Sequence, residues 1–206
     1  MARKAMIEQG QVNELLYQAL ETELGGIKIY ETAIGCAVNE DLREEWQEYL
    51  AETKTHRKVL LVVFEQLGLD PDTRSPGREV VGHIGKSLVE AMNIASKSGD
   101  AVAAELVATE CVVLAETKDH HNWELIGQIT KHTTGDLAKV LKQAYEAVED
   151  DEDHHLYHTR GWSRELWLQS LGIPAVLPPP EEVKQVETAI GAARAEKARE
   201  SMPKKH

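Results

Sequence analysis

Between residues 41 and 68, Leu42, Trp46, Tyr49, Thr53, His56, Leu60, Val63 and Leu67 recur at steps of four and three without a slip, the period of one face of an α-helix. A stripe of that length must be buried against other helices, yet its midpoint is a threonine and a histidine. Three further segments repeat the pattern. Residues 11–38 align Leu16, Ala19, Tyr30, Ala33 and Ala37 with Glu23 on one face. Residues from about 100 to 131 align Ala103, Leu106, Glu110, Val113, Thr117, His120 and Glu124. Residues from about 136 to 171 align Leu137, Leu141, Ala144, Val148, Asp151 or Glu152, His155, His158 or Thr159, Trp162 and Leu166. Bare polar groups are expensive to bury, so polar midpoints on otherwise apolar stripes constrain what these helices enclose.

The connections give the fold class. Only a few residues around Asn39–Asp41 separate the first two helices, and HTTGD at 132–136 separates the last two; links that short make antiparallel neighbours. Residues 69–79, LDPDTRSPGRE, read as a loop, followed by a shorter helix over 80–96 with Val80, Ile84, Leu88, Ala91 and Ile94 or Ala95 as its stripe, ended by Gly99-Asp100. This crossover of about thirty residues is long enough to return along helices of roughly 40 Å. The expected fold is all-α: a four-helix bundle of two antiparallel hairpins joined by a long crossover containing a short helix, over 1–171. From Gly172 the segment IPAVLPPPEE places four prolines in ten residues and must be extended. A helical stretch at 181–201, with Val183, Val186, Ile190 and Ala193 as a thin stripe, completes a linker and tail over 172–206. Docking or assembly suits that tail better than catalysis.

Composition excludes several functions. Among 206 residues, 35 acids against 23 bases leave a formal charge of −12, which repels phosphates and disfavours direct nucleic-acid or anionic-membrane binding. No window approaches the roughly eighteen consecutive apolar residues of a spanning helix, and the first residues carry no apolar leader, so a cytoplasmic location is expected. Cys36 and Cys111 fit reduced, buried thiols. No Gly-rich phosphate loop, Cys-x-x-Cys pair or strand framework for a Ser-His-Asp site is present.

Each long helix carries a carboxylate near its midpoint: Glu23, Glu52, Glu110 or Glu116, and Glu149 or Glu152, with imidazoles at His56 and His155. Converging buried carboxylates raise one another's pKa values unless something positive sits between them. A pair of divalent ions is the economical answer, and oxygen-rich ligands with two imidazoles select iron or manganese.

The stretch LLYQALETELGGIKIY, with Glu23 seven residues before Tyr30, resembles the first helix of the ferritin-like di-iron carboxylate proteins, the group of bacterioferritin and rubrerythrin. Glu152-Asp153-His154-His155 matches that group's E-x-x-H signature. The resemblance implies two iron (or manganese) ions held by Glu23, Glu110, Glu152 and His155, with His56 as the second imidazole. It also implies reaction with O₂ or peroxide in an oxidase, peroxidase or iron-oxidising role, in a homo-oligomer. The second helix departs from the signature: Thr53 stands three before His56 and Glu52 four before it. A four-residue step turns about 40° and keeps Glu52 on the same face, whereas three turn about −60°. AETKDHHN at 115–122 echoes AETKTHRK at 51–58, offering Glu116 and His120 as a rival set. Glu110 and His120 lie about 15 Å apart along the axis and cannot share a metal. The seven-residue spacing from Glu110 to Thr117, repeating that of Glu23 and Tyr30, favours Glu110 over Glu116. His83 reads as a partly buried structural residue; His121, His154 and His158 read as surface residues first, with partners of metal ligands or a secondary metal-scavenging cluster as the alternatives; Trp123, Trp162 and Trp167 read as core or interface. The alternative function is a ferritin-like scaffold with a degenerate metal site, acting as an interaction or stress protein through its tail.

Overall fold

The computed structural model describes residues 7–182, together with 193–194 and 197–198. Among the described residues the fold has six helices, α1 (Gln9–Cys36), α2 (Glu40–Leu67), α3 (Pro76–Lys97), α4 (Ala101–His132), α5 (Asp136–Glu146) and α6 (Glu149–Ser170), and no strand. The tail helix expected over 181–201 lies almost wholly outside the described residues.

Local chemistry sets the boundaries. Asn39 caps α2, accepting from Leu42 N–H at 3.1 Å, and Gly68 ends it at φ 67°, a left-handed conformation that glycine adopts without strain. Ser75 caps α3, with Pro76 at its first position, so α3 begins inside the segment expected to be loop; a capping serine followed by proline is itself a helix start. Asp100 caps α4 through Ala103 N–H at 3.0 Å.

Around the bundle formed by α1, α2, α4 and α6, neighbouring helices run antiparallel. Glu105 at the start of α4 receives the Val38 and Asn39 amides at 2.7 and 2.6 Å, while Trp123 further along reaches Glu23. Across α2 and α6, His56 meets Glu152 and Glu45 meets Trp162. Helix α3 lies outside this group, against α1 and α4. It crosses α1 where Gly25 and Gly85 meet, a Cβ on Gly85 falling 3.6 Å from the Gly25 Cα. Its inward residues are Val81, Gly85, Leu88 and Met92, whereas Val80, Ile84 and Ile94 of the expected stripe are exposed.

The expected fourth long helix is broken. Ala147 and Val148 form a turn between α5 and α6, leaving Val148 buried in the core. Glu149, Asp150, Asp151 and Glu152 thereby fall in the first turn of α6, where free N–H groups and the helix dipole favour negative charge.

Two apolar cores occupy the bundle ends. One packs Tyr30, Trp46, Tyr49, Met92 and Trp162; the other packs Leu16, Leu20, Phe64, Trp123 and Ile126. Cys36 and Cys111 are free and buried. Between the cores lies a layer of ionisable side chains.

Candidate metal centre

Each bundle helix brings at least one buried ionisable group to this layer: Glu23 from α1, His56 from α2, Glu116 and Asp119 from α4, and Glu152 and His155 from α6, none more than 3% exposed. Their contacts are few for groups so deeply placed. Glu23 Oε1 accepts from the Trp123 indole at 3.0 Å. His56 Nδ1 lies 2.8 Å from Glu152 Oε1 and its Nε2 3.1 Å from Asp151 Oδ2. His155 Nε2 lies 2.8 Å from Glu52 Oε2, and its Nδ1 is 3.7 Å from Glu116 Oε2. Carboxylates flank both nitrogens of each ring, an arrangement that favours a proton on each ring nitrogen where no metal is bound.

The remaining polar atoms are orphans. Glu23 Oε2, Glu116 Oε2, Asp119 Oδ1, Glu152 Oε2, His155 Nδ1 and the Tyr30 hydroxyl are buried with no hydrogen-bond partner. Native proteins leave few such atoms, and a concentration of them marks a place where a ligand or ion belongs. The side chains of the layer include two sets of possible ligands. Ligand atoms of His56, Glu152 and His155 lie within 4.8 Å of one another, and so do those of Glu23, Asp119 and Glu152. Glu152 is common to both.

The electrostatics agree. Burial, then the charges of Asp119 and Glu152, push the Glu23 carboxyl well above its ordinary range. Burial, then Glu152 and Glu116, do the same to Asp119, and burial raises Glu152. Burial alone would lower the two imidazoles, but the facing carboxylates outweigh it: Glu116 and Glu52 push His155 up to about 10, and Asp151 and Glu152 raise His56. The layer attracts positive charge and here holds protons.

Of the residues expected from sequence, Glu23, His56, Glu116, Glu152 and His155 come together, with Glu52 partly exposed at the rim against His155. Glu110 does not join them. It is exposed and accepts from the Trp167 indole at 3.0 Å, so of the two glutamates it is Glu116 that α4 turns inward. Glu149 is half-buried and lies against Tyr145. His120 pairs with Asp153 at 2.7 Å between α4 and α6, away from the centre. Thr53 faces inward but donates to its own helix at Tyr49 O, 2.8 Å away. His83 is exposed, and His158, expected at the surface, is buried.

Asp119 was not expected. Its signal is present as Glu116-x-x-Asp119, one turn apart on the face of Val112, Trp123 and Ile126. The stripe through Glu110, Thr117 and His120 runs one position out of phase with it.

No protein-family model, curated protein or solved structure matches the chain.

Proposed function

We propose that the chain is a ferritin-like carboxylate bundle that binds two divalent ions, iron or manganese, and reacts with O₂ or peroxide in an oxidase, peroxidase or iron-oxidising role. The observation that carries this reading is the place of Glu152 in two ligand sets. It is the carboxylate positioned to be shared, with His56 and His155 on one side and Glu23 and Asp119 on the other. Glu116 borders the first set through its approach to His155. One side is nitrogen-rich and the other all oxygen, a donor set that suits iron or manganese rather than zinc thiolate or calcium chemistry. Two such ions would offset the charge of Glu23, Glu116, Asp119 and Glu152 and take up the orphaned oxygens.

When bound, the metals would supply electrons to dioxygen or peroxide at open coordination positions. The chain's own groups do the rest. Tyr30 and Tyr49 wall the His155 side, with ring centroids 6.1 and 4.3 Å from the imidazole, and exclude bulk water. Trp123 fixes Glu23 by its indole hydrogen bond. Glu52 and Asp151, at the partly exposed rim, each hold one nitrogen of His155 and His56, which must give up their protons before they can bind a cation. No described helix is long and apolar enough to cross a membrane. Self-association belongs to this reading, supported by exposed Val80, Ile84 and Ile94 on α3.

Anaerobic loading with Fe²⁺ or Mn²⁺ followed by metal analysis is expected to give about two ions per chain, falling in Glu23→Ala and Glu152→Ala. A second reading, a scaffold whose site has decayed, draws on Thr53 standing where the signature has a carboxylate. Uptake unchanged by those two substitutions would refute the first reading; a chain that takes no metal would favour the second.

A further inference from the structure

A second group of metal-binding side chains lies where the Pro-rich segment folds back along α6. His154 and His158 stand one turn apart with their rings stacked at 5.2 Å, an i, i+4 pair that presents two imidazoles to one cation. His154 Nε2 is 3.0 Å and His158 Nδ1 is 3.9 Å from the same oxygen, Glu181 Oε2. From α2, Glu45 Oε1 comes within 2.9 Å of His158 Nδ1. The Glu45 carboxylate is aimed by the Tyr49 hydroxyl at 2.7 Å and the Trp162 indole at 2.8 Å. His158 is buried, and its Nε2 reaches only the Pro179 carbonyl, 3.5 Å away.

The segment that delivers Glu181 is already docked. Val176 N–H donates to Glu165 at 2.9 Å, and the next residue, Glu182, is fully buried and receives Arg164 at 2.8 Å. This group is separate from the central one. His154 and His155 point about 100° apart around α6, and the Tyr49 ring stands against both, 5.5 Å from the first and 4.3 Å from the second.

We propose that Glu45, His154, His158 and Glu181 form a second site, for a zinc-type divalent cation, that clamps the 172–182 segment to α2 and α6. His154, His158 and Glu181 place ligand atoms within 4.8 Å of one another; Glu45, 2.9 Å from His158 but outside that set, is the carboxylate at hand for the fourth position, four being the number zinc takes in closed structural sites, and two carboxylates balance the ion's charge. Three of the four come from elements the fold already fixes, and the fourth completes the set only when the segment lies along α6. Zinc binding and segment docking are therefore one equilibrium. The proposal stands whether or not the central layer takes metal.

The test is a Zn²⁺ titration of the full chain carrying Glu23→Gln and Glu152→Gln, which disable both central sets, read by competition with a chromophoric chelator. About one zinc per chain is expected, with Zn²⁺ slowing hydrogen exchange at the Val176 amide. Adding His154→Ala or Glu181→Ala, at side chains exposed enough to leave the fold intact, is expected to weaken binding about tenfold or more and to abolish the effect at Val176. No zinc uptake by the parent would overturn the proposal. So would equal affinity in the two variants, or binding without a change at Val176. Failure of the central site has a different signature: the natural chain takes no iron or manganese while this zinc still titrates.

Discussion

Asp119→Asn is expected to make the metal-free protein more stable while impairing its metal binding. Asp119 is 3% exposed, its Oδ1 has no partner, and burial followed by the charges of Glu152 and Glu116 raises its carboxyl. An unsatisfied buried polar group costs about 1–3 kcal/mol, more when charged. The amide is neutral without taking up a proton and brings two donors to a layer in which Glu23 Oε2 and Glu152 Oε2 have no partner. A gain of about 1–3 kcal/mol corresponds to a Tm rise of roughly 3–10 °C for a chain of this size. In the loaded protein the sign reverses. Losing one oxygen ligand is expected to weaken metal binding about 10- to 100-fold, so the Tm increase on adding Fe²⁺ or Mn²⁺ shrinks by about 1.4–2.7 kcal/mol equivalent. Thermal unfolding with chelator and with each metal reads both halves. A substitution that lowers the chelated Tm and leaves the metal-induced increase intact would refute the reasoning, because Asp119 would then be an ordinary structural carboxylate.

Three further outcomes follow from the same geometry. Glu23, Asp119 and Glu152 have raised folded-state pKa values, as do His56, His158 and, to about 10, His155. The folded metal-free chain thus holds more protons than the unfolded one, and stability falls as pH rises through those values. Glu45 and Asp151, lowered by His158 and His56, work in the opposite sense but only near and below the ordinary carboxylate range. Chelated protein should therefore melt higher at about pH 6 than at about pH 9, and a melting temperature that climbs across that interval would contradict the assignment. Glu116→Gln should lower metal uptake while Glu110→Gln leaves it unchanged; the reverse result in metal analysis would place the other carboxylate in the centre. Gly85→Leu, where α3 touches Gly25 of α1, should cost about 1–3 kcal/mol of stability by overpacking, and a denaturant midpoint equal to the natural chain's would show that the contact can yield.

Legibility of the fold tracked how one-sided each helix is. On α2 the expected stripe is buried at every position except Leu67, which is half-buried, because α2 has a broad solvent face and one inward face. Helix α4 is packed against α1, α3, α5 and α6. Its buried residues spread around much of its circumference, and the polar/apolar contrast that sets phase is weak, so the sequence prefers Glu110 to Glu116 and passes over Asp119. The break at Ala147–Val148 carries no proline or glycine. Four consecutive acids follow it and Val148 is buried, and neither feature interrupts a helical repeat. The ionic layer was legible because a carboxylate on an apolar stripe has no inexpensive solution but a shared one. That His158 is buried was not, because the segment covering it meets α6 through single contacts such as Val176 to Glu165 rather than a periodic face.

The central claim is most directly tested by soaking crystals with Fe²⁺ or Mn²⁺ and measuring anomalous scattering at that metal's absorption edge. The account predicts two peaks between the helices, one bordered by His56, His155 and Glu152 and the other by Glu23, Asp119 and Glu152, with Glu152 touching both. A map with no peak in this layer, or with metal confined to surface carboxylates, would contradict it.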